Sequence, residues 1–481
     1  MSAGPETSAR RWWVLAGACS GLFVLMLDST VVTLALPAIG SDLGASIDGL
    51  QWIQNAYLLV LAATVVSAGR LGDIRGRRSV FLAGMVLFGA GSVLAGAAGS
   101  DEVLIAARVV QGLGGAAMLT LSLALVAQAF PGAEQARALG VWAAVSAIAL
   151  AIGPLAGGAL IEAASWRWIF LINVPIVALG VAVLIIHGVE SRDPSTSRVD
   201  YLGVAVLAVG LTAIVLGLIE ADDWSAPATI AVLAVGVAGL AGFWRLEHRR
   251  EDPLVEFSLF RNRPYLGASA AAFALVGSYW SVMFFQPQFL QLELGYSAVA
   301  AGALILPLTA PMALFSTFSS RIIGRFGVRA TMTVGMLFGL AGLIAQALAE
   351  DADSYGALLP GLLCFGIALA LVYAPMSTAA MAALPAAKSG IASGVLAMNR
   401  VLAGALLLAM SGAVFQGELG GAPSAASESG FATAVAHALW PPIGVMVIGT
   451  ALTWLWVRAP DQPEGPAEAA DHHRRHRRFH L

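Results

Sequence analysis

The chain has 481 residues, of which 58% are hydrophobic and only 11% charged, with a mean hydropathy of +0.82. Soluble domains carry roughly 25% charged residues, so the composition excludes a string of water-soluble domains and points to an integral membrane protein. The net charge of −3 resides in loops and tails, and no nucleic-acid partner is expected.

A hydrocarbon core of ~30 Å needs about 20 apolar residues per helical crossing. Fourteen such stretches are predicted, over 12–38, 50–69, 79–99, 103–129, 137–161, 167–187, 201–219, 228–244, 265–290, 298–320, 328–349, 355–383, 389–416 and 432–457. The first begins at Trp12 and is too long, with no small-residue cleavage site, to be a cleavable signal peptide. Cys19 and Cys364 fall inside spans and read as small packing residues rather than a disulfide. The 53 glycines suit close helix packing in lipid.

The charges sort into alternate loops. One side holds Arg10, Arg11, Arg70, Arg75, Arg77, Arg78, Arg137, Arg192 and Arg198, then Arg245, Arg249, Arg250, Arg261, Arg263, Arg321, Arg325, Arg329 and Lys388. The other holds Asp42, Asp48, Asp101, Glu102, Glu220, Asp222, Asp223, Glu350, Asp351 and Asp353, with Arg167 its sole basic residue. The positive-inside rule then places both termini in the cytoplasm, which requires an even number of spans. After the second span the chain reads Gly69-Arg70-Leu71-Gly72-Asp73-Ile74-Arg75-Gly76-Arg77-Arg78, and after the tenth Ser320-Arg321-Ile322-Ile323-Gly324-Arg325-Phe326-Gly327-Val328-Arg329. Arg70, Leu71, Gly76 and Arg78 match Arg321, Ile322, Gly327 and Arg329. Two related halves with a binding site at the midplane are a transporter plan, although two Gly- and Arg-rich loops can also look alike by chance. The expected organisation is a six-span bundle over 1–190, an inserted two-span hairpin with linkers over 191–263, a second six-span bundle over 264–457 and a basic cytoplasmic tail over 458–481.

Asp28, in the first span, is the sole carboxylate well inside any span. A charge there costs ~2.5–3.5 kcal/mol and usually faces a cavity or a partner. Such a group suits proton loading and unloading; the plainer reading is a packing residue bonded to Ser29, Thr30 or a neighbouring helix. Arg108 lies ~8 Å into the fourth span and Asp28 ~15 Å from the matching end of the first, at 1.5 Å per residue, so the two depths permit contact. The pair then either gates protonation or forms a fixed ion pair for folding. In the loop, Gly69, Gly72 and Gly76 permit tight turning, Asp73 can meet the positive end of the third span, and Arg77 and Arg78 hold the basic face. The fifth span carries small residues and Gly153-Pro154 with Gly157, a packing face with a bend. Cavity candidates are Gln51, Asn55 and Tyr57 in the second span, Trp280 and Phe284 four apart in the ninth, and Asn399 and Arg400 in the thirteenth, where Arg400 could bind an anionic group. Gln54, Phe285, Gln286 and Gln288 lie among them, and lipid or helix packing is the bland alternative. The tail His472-His473-Arg474-Arg475-His476-Arg477-Arg478-Phe479-His480 would be drawn to anionic lipid, and no metal site is expected. No Walker loop, HExxH or Gly-x-Ser-x-Gly pattern is evident, so neither ATP-driven transport nor a familiar hydrolase is indicated.

These motifs together resemble the fourteen-helix drug:proton antiporters of the major facilitator superfamily, over nearly the whole chain. The resemblance rests on Leu27-Asp28-Ser29-Thr30-Val31-Val32 through Leu36-Pro37, on Gly69 through Arg78, and on Arg108 through Gly112. Gly153-Pro154-Leu155-Ala156-Gly157-Gly158 and Trp166 through Pro175 complete it. It implies an all-α membrane fold of two six-helix bundles plus a two-helix insertion. It also implies proton exchange through Asp28 and Arg108, and a cavity lined by spans one, two, four, five, nine, ten, twelve and thirteen. Gly324 stands where the second loop copy should be acidic, and spans ten and thirteen lack extra carboxylates. That disfavours dications and leaves neutral, zwitterionic or monocationic amphiphiles. The expected protein is a monomeric, cofactor-free exporter of hydrophobic drugs or antibiotics in the cytoplasmic membrane, driven by the proton gradient. The rivals are a narrow carrier of an endogenous metabolite, siderophore or lipid, a non-transporting sensor and, with no catalytic constellation behind it, a membrane enzyme.

Overall fold

A chain crossing a bilayer must satisfy its own backbone polar groups, because lipid offers no partners. The structure, a computed structural model, describes residues 5–130, 132–193, 199–250, 253–349, 354–385, 389–419 and 428–457. Arg198, Lys388, the acidic residues 350–353 and the tail 458–481 lie outside the described residues. Among the described residues the long elements are helices: α1 Pro5–Leu43, α2 Ile47–Arg75, α3 Arg77–Gly96, α4 Asp101–Ala129, α5 Ala133–Ala163, α6 Trp168–Leu171, α7 Asn173–His187, α8 Tyr201–Ile219 and α9 Ala226–His248. They continue with α10 Arg263–Gln288, α11 Ala298–Leu304, α12 Leu306–Ala347, α13 Tyr355–Ala382, α14 Ser389–Leu419, α15 Glu428–His437 and α16 Trp440–Trp456. Side chains of Ser46, Ser100, Asp200, Asn262 and Ser297 accept the N–H three residues on, at the starts of α2, α4, α8, α10 and α11. They satisfy orphan donors of the first turn.

Four of the expected continuous spans are interrupted, each beside proline. Span 167–187 divides at Ile172, three residues before Pro175 in the first turn of α7, and span 298–320 divides at Ile305, two residues before Pro307. Span 432–457 divides before Trp440-Pro441-Pro442, and α10 passes after Pro287 into a wide π turn over Phe289–Glu293. Proline lacks an N–H and crowds the preceding turn, so it is tolerated in a first helical turn and breaks what precedes it. Thirteen helical stretches of the described residues are long and apolar enough to cross a membrane; the expected tenth span is shared between α11 and the start of α12.

The loop repeat has a backbone counterpart. Gly76 joins α2 to α3 at φ +118°, and Gly327 breaks α12 at φ +80°. Both lie in the region that favours glycine, at positions matched in the two loop copies.

Helices α1 to α7 pack mainly on one another, with α1 against α5 and α7, and α4 against α2 and α3. Helices α10 to α16 form a second group, in which α12 packs on α13 and α10 on α14 and α16. The α8–α9 pair lies alongside: α8 touches both α2 and α14, while α9 leaves Ile230 and Val237 exposed as a lipid-facing helix does. Trp52 of α2 donates to Glu220 after α8 at 3.1 Å.

The two groups meet near the acidic-loop ends. Gln416 of α14 donates to Asp48 of α2, Gln291 donates to the Leu34 carbonyl at 3.1 Å, and Val299 N–H donates to Glu162 at 2.8 Å. A Cβ on Gly158 would stand 2.4 Å from the Ala298 carbonyl oxygen, and one on Gly302 would stand 2.3 Å from the Pro154 oxygen. Helices α5 and α11 therefore touch backbone to backbone.

Candidate functional site

Burying an unpaired charge is costly, so a buried carboxylate must collect donors. Asp28 and Arg108 are 1% and 0% exposed. Arg108 Nη1 donates to Asp28 Oδ2 at 2.5 Å and to Gln111 Oε1 at 2.8 Å, and its Nε donates to the Ile53 carbonyl at 3.2 Å. Gln111 and Asn173 each donate to Asp28 Oδ1 at 3.2 Å, and both also reach Ser92 Oγ. Helices α1, α3, α4 and α7 thus converge on one carboxylate. Helix spacing explains part of this: Arg108 and Gln111 lie three apart and share a face of α4, and a Cβ on Gly112 would meet the Tyr57 carbonyl oxygen at 2.9 Å, so glycine lets α2 close on α4. The Tyr57 ring covers the guanidinium, 4.2 Å from its Cζ, a cation–π contact.

Beside this pair is an open cavity, with about 930 Å³ of empty space when the solvent at its mouth is included. Its wall takes residues from α1, α2, α4 and α5 on one side and from α10, α12, α13 and α14 on the other, the eight spans expected to line it. On four of the contributing helices the cavity lies on the basic-loop side of the contacts that join the two groups: Ser29 before Leu34 on α1, Tyr57 after Asp48 on α2, Leu150 before Pro154 on α5 and Arg400 before Gln416 on α14. Ser29, next to Asp28 in the chain, and Tyr57, whose ring covers Arg108, line the cavity, and Asp28 itself does not.

Of the seven cavity candidates, Tyr57, Trp280 and Arg400 line this wall. Four do not. Phe284 is buried in a T-shaped contact with Phe285, ring centroids 4.9 Å apart. Gln51 and Asn55 are fully buried, and Gln51 lies against Gly412 in the contact between α2 and α14. Asn399 turns away to donate to the Ser269 carbonyl at 2.8 Å. Four-residue spacing did not separate Trp280 from Phe284 because α10 is buried nearly all round.

The loop motif is a clamp within the first helix group. Asp73 sits in the last turn of α2 rather than at the start of α3, and pairs with Arg77 at 2.7 Å. Arg78 donates to the Leu184 and Ile185 carbonyls at the end of α7, at 2.8 and 2.7 Å. Glu190, which the sequence did not single out, accepts from Arg78 N–H, Ser79 N–H and Ser79 Oγ, an anion on the positive end of α3. Gly72 packs against Leu121, while Gly69 has only Thr120 nearby. In the second copy Arg329 stacks on Trp454 at 4.2 Å, near the end of α16. In α5, Gly153 and Gly157 lie against Thr30 and Val31 of α1, while Gly158 and Pro154 face α11.

A helical bundle with an intramembrane ion pair beside a two-sided cavity is the plan of a membrane transporter. The chain belongs to the Major Facilitator Superfamily, whose family model matches residues 18–408, and it is a transporter rather than an enzyme. It is 36% identical over 397 residues to the multidrug resistance protein Stp of Mycobacterium tuberculosis, covering 82% of this chain and 74% of Stp. It is 33% identical over 414 residues to the tetracenomycin C resistance and export protein of Streptomyces glaucescens, covering 85% and 77%. To the puromycin resistance protein pur8 of Streptomyces alboniger it is 31% identical over 490 residues, covering 97% and 94%. Among solved structures, an inward-facing, unoccupied bacterial homolog of the human lysosomal transporter Spinster superposes with a TM-score of 0.66 at 17% identity, over 96% of this chain and 100% of that one. The xylose transporter XylE from E. coli, in a partially occluded inward-open conformation, gives 0.62 at 14% identity, over 94% and 98%.

Proposed function

We propose that this protein exports hydrophobic and amphipathic drugs or antibiotics across the cytoplasmic membrane in exchange for protons, with both termini in the cytoplasm. The observation that carries the reading is the buried Asp28–Arg108 pair beside a cavity walled by both helix groups, in a chain similar to named resistance and export proteins. Two six-helix bundles, 1–190 and 264–457, rock about the cavity, and the 191–263 hairpin rides alongside them. With the basic loops inside, the cavity lies on the cytoplasmic side of the contacts between the bundles, so the arrangement receives substrate from the cytoplasm. Asp28 holds the proton in one state. Protonation removes its charge and weakens its hold on Arg108, whose freed guanidinium then turns against the Tyr57 side of the cavity. The Gly153-Pro154-Gly157 segment serves as the seal that opens when the bundles rock.

The test is accumulation of a panel of dyes and antibiotics in cells lacking their own pumps. Expression should lower accumulation of several compounds, and a protonophore should restore it. Lowered accumulation of one compound only would favour the narrow carrier, a reading supported by relatives named for single antibiotics. No effect on any compound, with protein in the membrane, would contradict both.

A further inference from the structure

Among the described residues, the cavity wall carries a cation that no acid neutralises. Arg400 of α14 lines the cavity and is half-buried. Among the described residues it makes no hydrogen bond and no ion pair; its guanidinium lies 5.5 Å from the ring of Tyr373. Its own helix group offers no partner, since no Asp or Glu occurs over 257–292, 294–349 or 354–417. The membrane carboxylate of the other helix group, Asp28, does not line the cavity and is already held by Arg108, Gln111 and Asn173. Arg400 is thus the one formal charge on the wall among the described residues, where the rest of the lining is aromatic or aliphatic apart from Ser29 and Thr309.

A guanidinium removed from bulk water gains most from an anionic partner, and its planar fork matches a carboxylate with two parallel N–H donors. Tyr279, Trp280 and Tyr373 stand beside it on the same wall, offering flat faces to a ring system. We propose that the cavity selects flat aromatic compounds bearing an acidic group, with Arg400 as the residue that binds the anion. The proposal rests on the transport reading above, and it reverses the expectation that a monocation is among the favoured substrates.

The test compares three ligands with one ring system: 9-anthracenecarboxylate, 9-anthracenecarboxamide and 9-(aminomethyl)anthracene, bound to the full chain in lipid nanodiscs. Wild type should prefer the carboxylate over the carboxamide by on the order of tenfold, the scale of a charge-assisted bond. Arg400→Gln should bring the carboxylate down to the carboxamide, whose own binding and the thermal midpoint stay unchanged and so report a folded cavity. Arg400→Lys should keep part of the preference, and Arg400→Glu should turn it toward the amine. Equal binding of acid and amide by wild type, a preference that survives Arg400→Gln, or no binding of any of the three overturns the proposal. Proton-coupled efflux of the carboxamide by the same protein separates the two claims. Efflux without acid selection removes the anion site alone, whereas acid-selective binding without efflux of any compound keeps the site and removes the transport reading.

Discussion

The carboxylate of Asp28 and the guanidinium of Arg108 hold each other in a place where neither would be stable alone. Breaking such a pair from one side leaves the other charge uncompensated, at a cost of about 3–5 kcal/mol. Arg108→Ala and Asp28→Asn should therefore each unfold at a distinctly lower temperature in detergent than wild type, because each leaves its buried partner without the opposite charge. Midpoints equal to that of wild type for both variants would show that the pair carries little of the folding free energy. Both charged partners could be picked out from the chain itself, because a charge in an apolar span stands out and helix rise fixes its depth. Gln111 and Asn173, the other two donors to Asp28, and Ser92, which accepts from both, could not. An uncharged polar residue in a span has many ordinary uses, and only the packing of α3, α4 and α7 joins these three into one network, two of whose members reach the carboxylate. Asn173 had a faint signal in its motif, Trp166 through Pro175, without a role attached.

At the level of elements, small residues decide which helices approach most closely. Gly158 touches the α11 backbone in the seal between the helix groups, whereas Gly153 lies on Thr30 within its own group. Gly158→Leu should hold the acidic-loop ends apart, and spin-label distances across them should lengthen against wild type with the first helix group still folded. Unchanged distances would mean that the α5–α11 contact does not hold the closed end. The junction of α2 and α3 gives a second test. Glu190 lies outside the spans; its partial burial disfavours the charge, but hydrogen bonds from Ser79, Ser191 and Arg78 outweigh that and hold its carboxyl below the ordinary value. A carboxyl depressed in the folded state stabilises above its unfolded value, and the contribution is lost as pH falls through the folded one. Wild type should therefore lose a small stability advantage over Glu190→Gln, about 0.5–1 kcal/mol for an anion at a helix start, on acidification below the ordinary carboxylate range. An advantage that does not change with pH would contradict the charged cap. Apolar length and loop charge were enough to mark nearly every crossing, and the matched loops anticipated the shared positive φ of Gly76 and Gly327. The interruptions at Ile172, Ile305 and Leu439 were missed because average apolarity conceals the local effect of Pro175, Pro307 and Pro441. The orientations of α2 and α10 were not legible for another reason: α10 is buried nearly all round and has no polar stripe to set its orientation. The four-residue spacing of Trp280 and Phe284 therefore did not tell cavity from core, and the polar character of Gln51 and Asn55 did not tell cavity from helix contact.

For the whole molecule, the contacts near the acidic loops and the cavity on the other side of them describe one arrangement of a two-group machine. Opening the seal must separate Asp48 from Gln416 and Glu162 from the α11 start, while the Asp28 network stays inside one group and is not broken by the rocking itself. On the proposed function, proton binding at Asp28 biases the arrangement from within, drawing on ~2.3 kcal/mol per charge for each 100 mV crossed. The decisive measurement is substrate-triggered proton release from inverted membrane vesicles with an acidified lumen, comparing wild type with Asp28→Asn at equal amounts of folded protein. Release by wild type upon addition of a transported compound, absent in Asp28→Asn, is the predicted result. Release of equal size from the mutant would contradict Asp28 as the proton-carrying group.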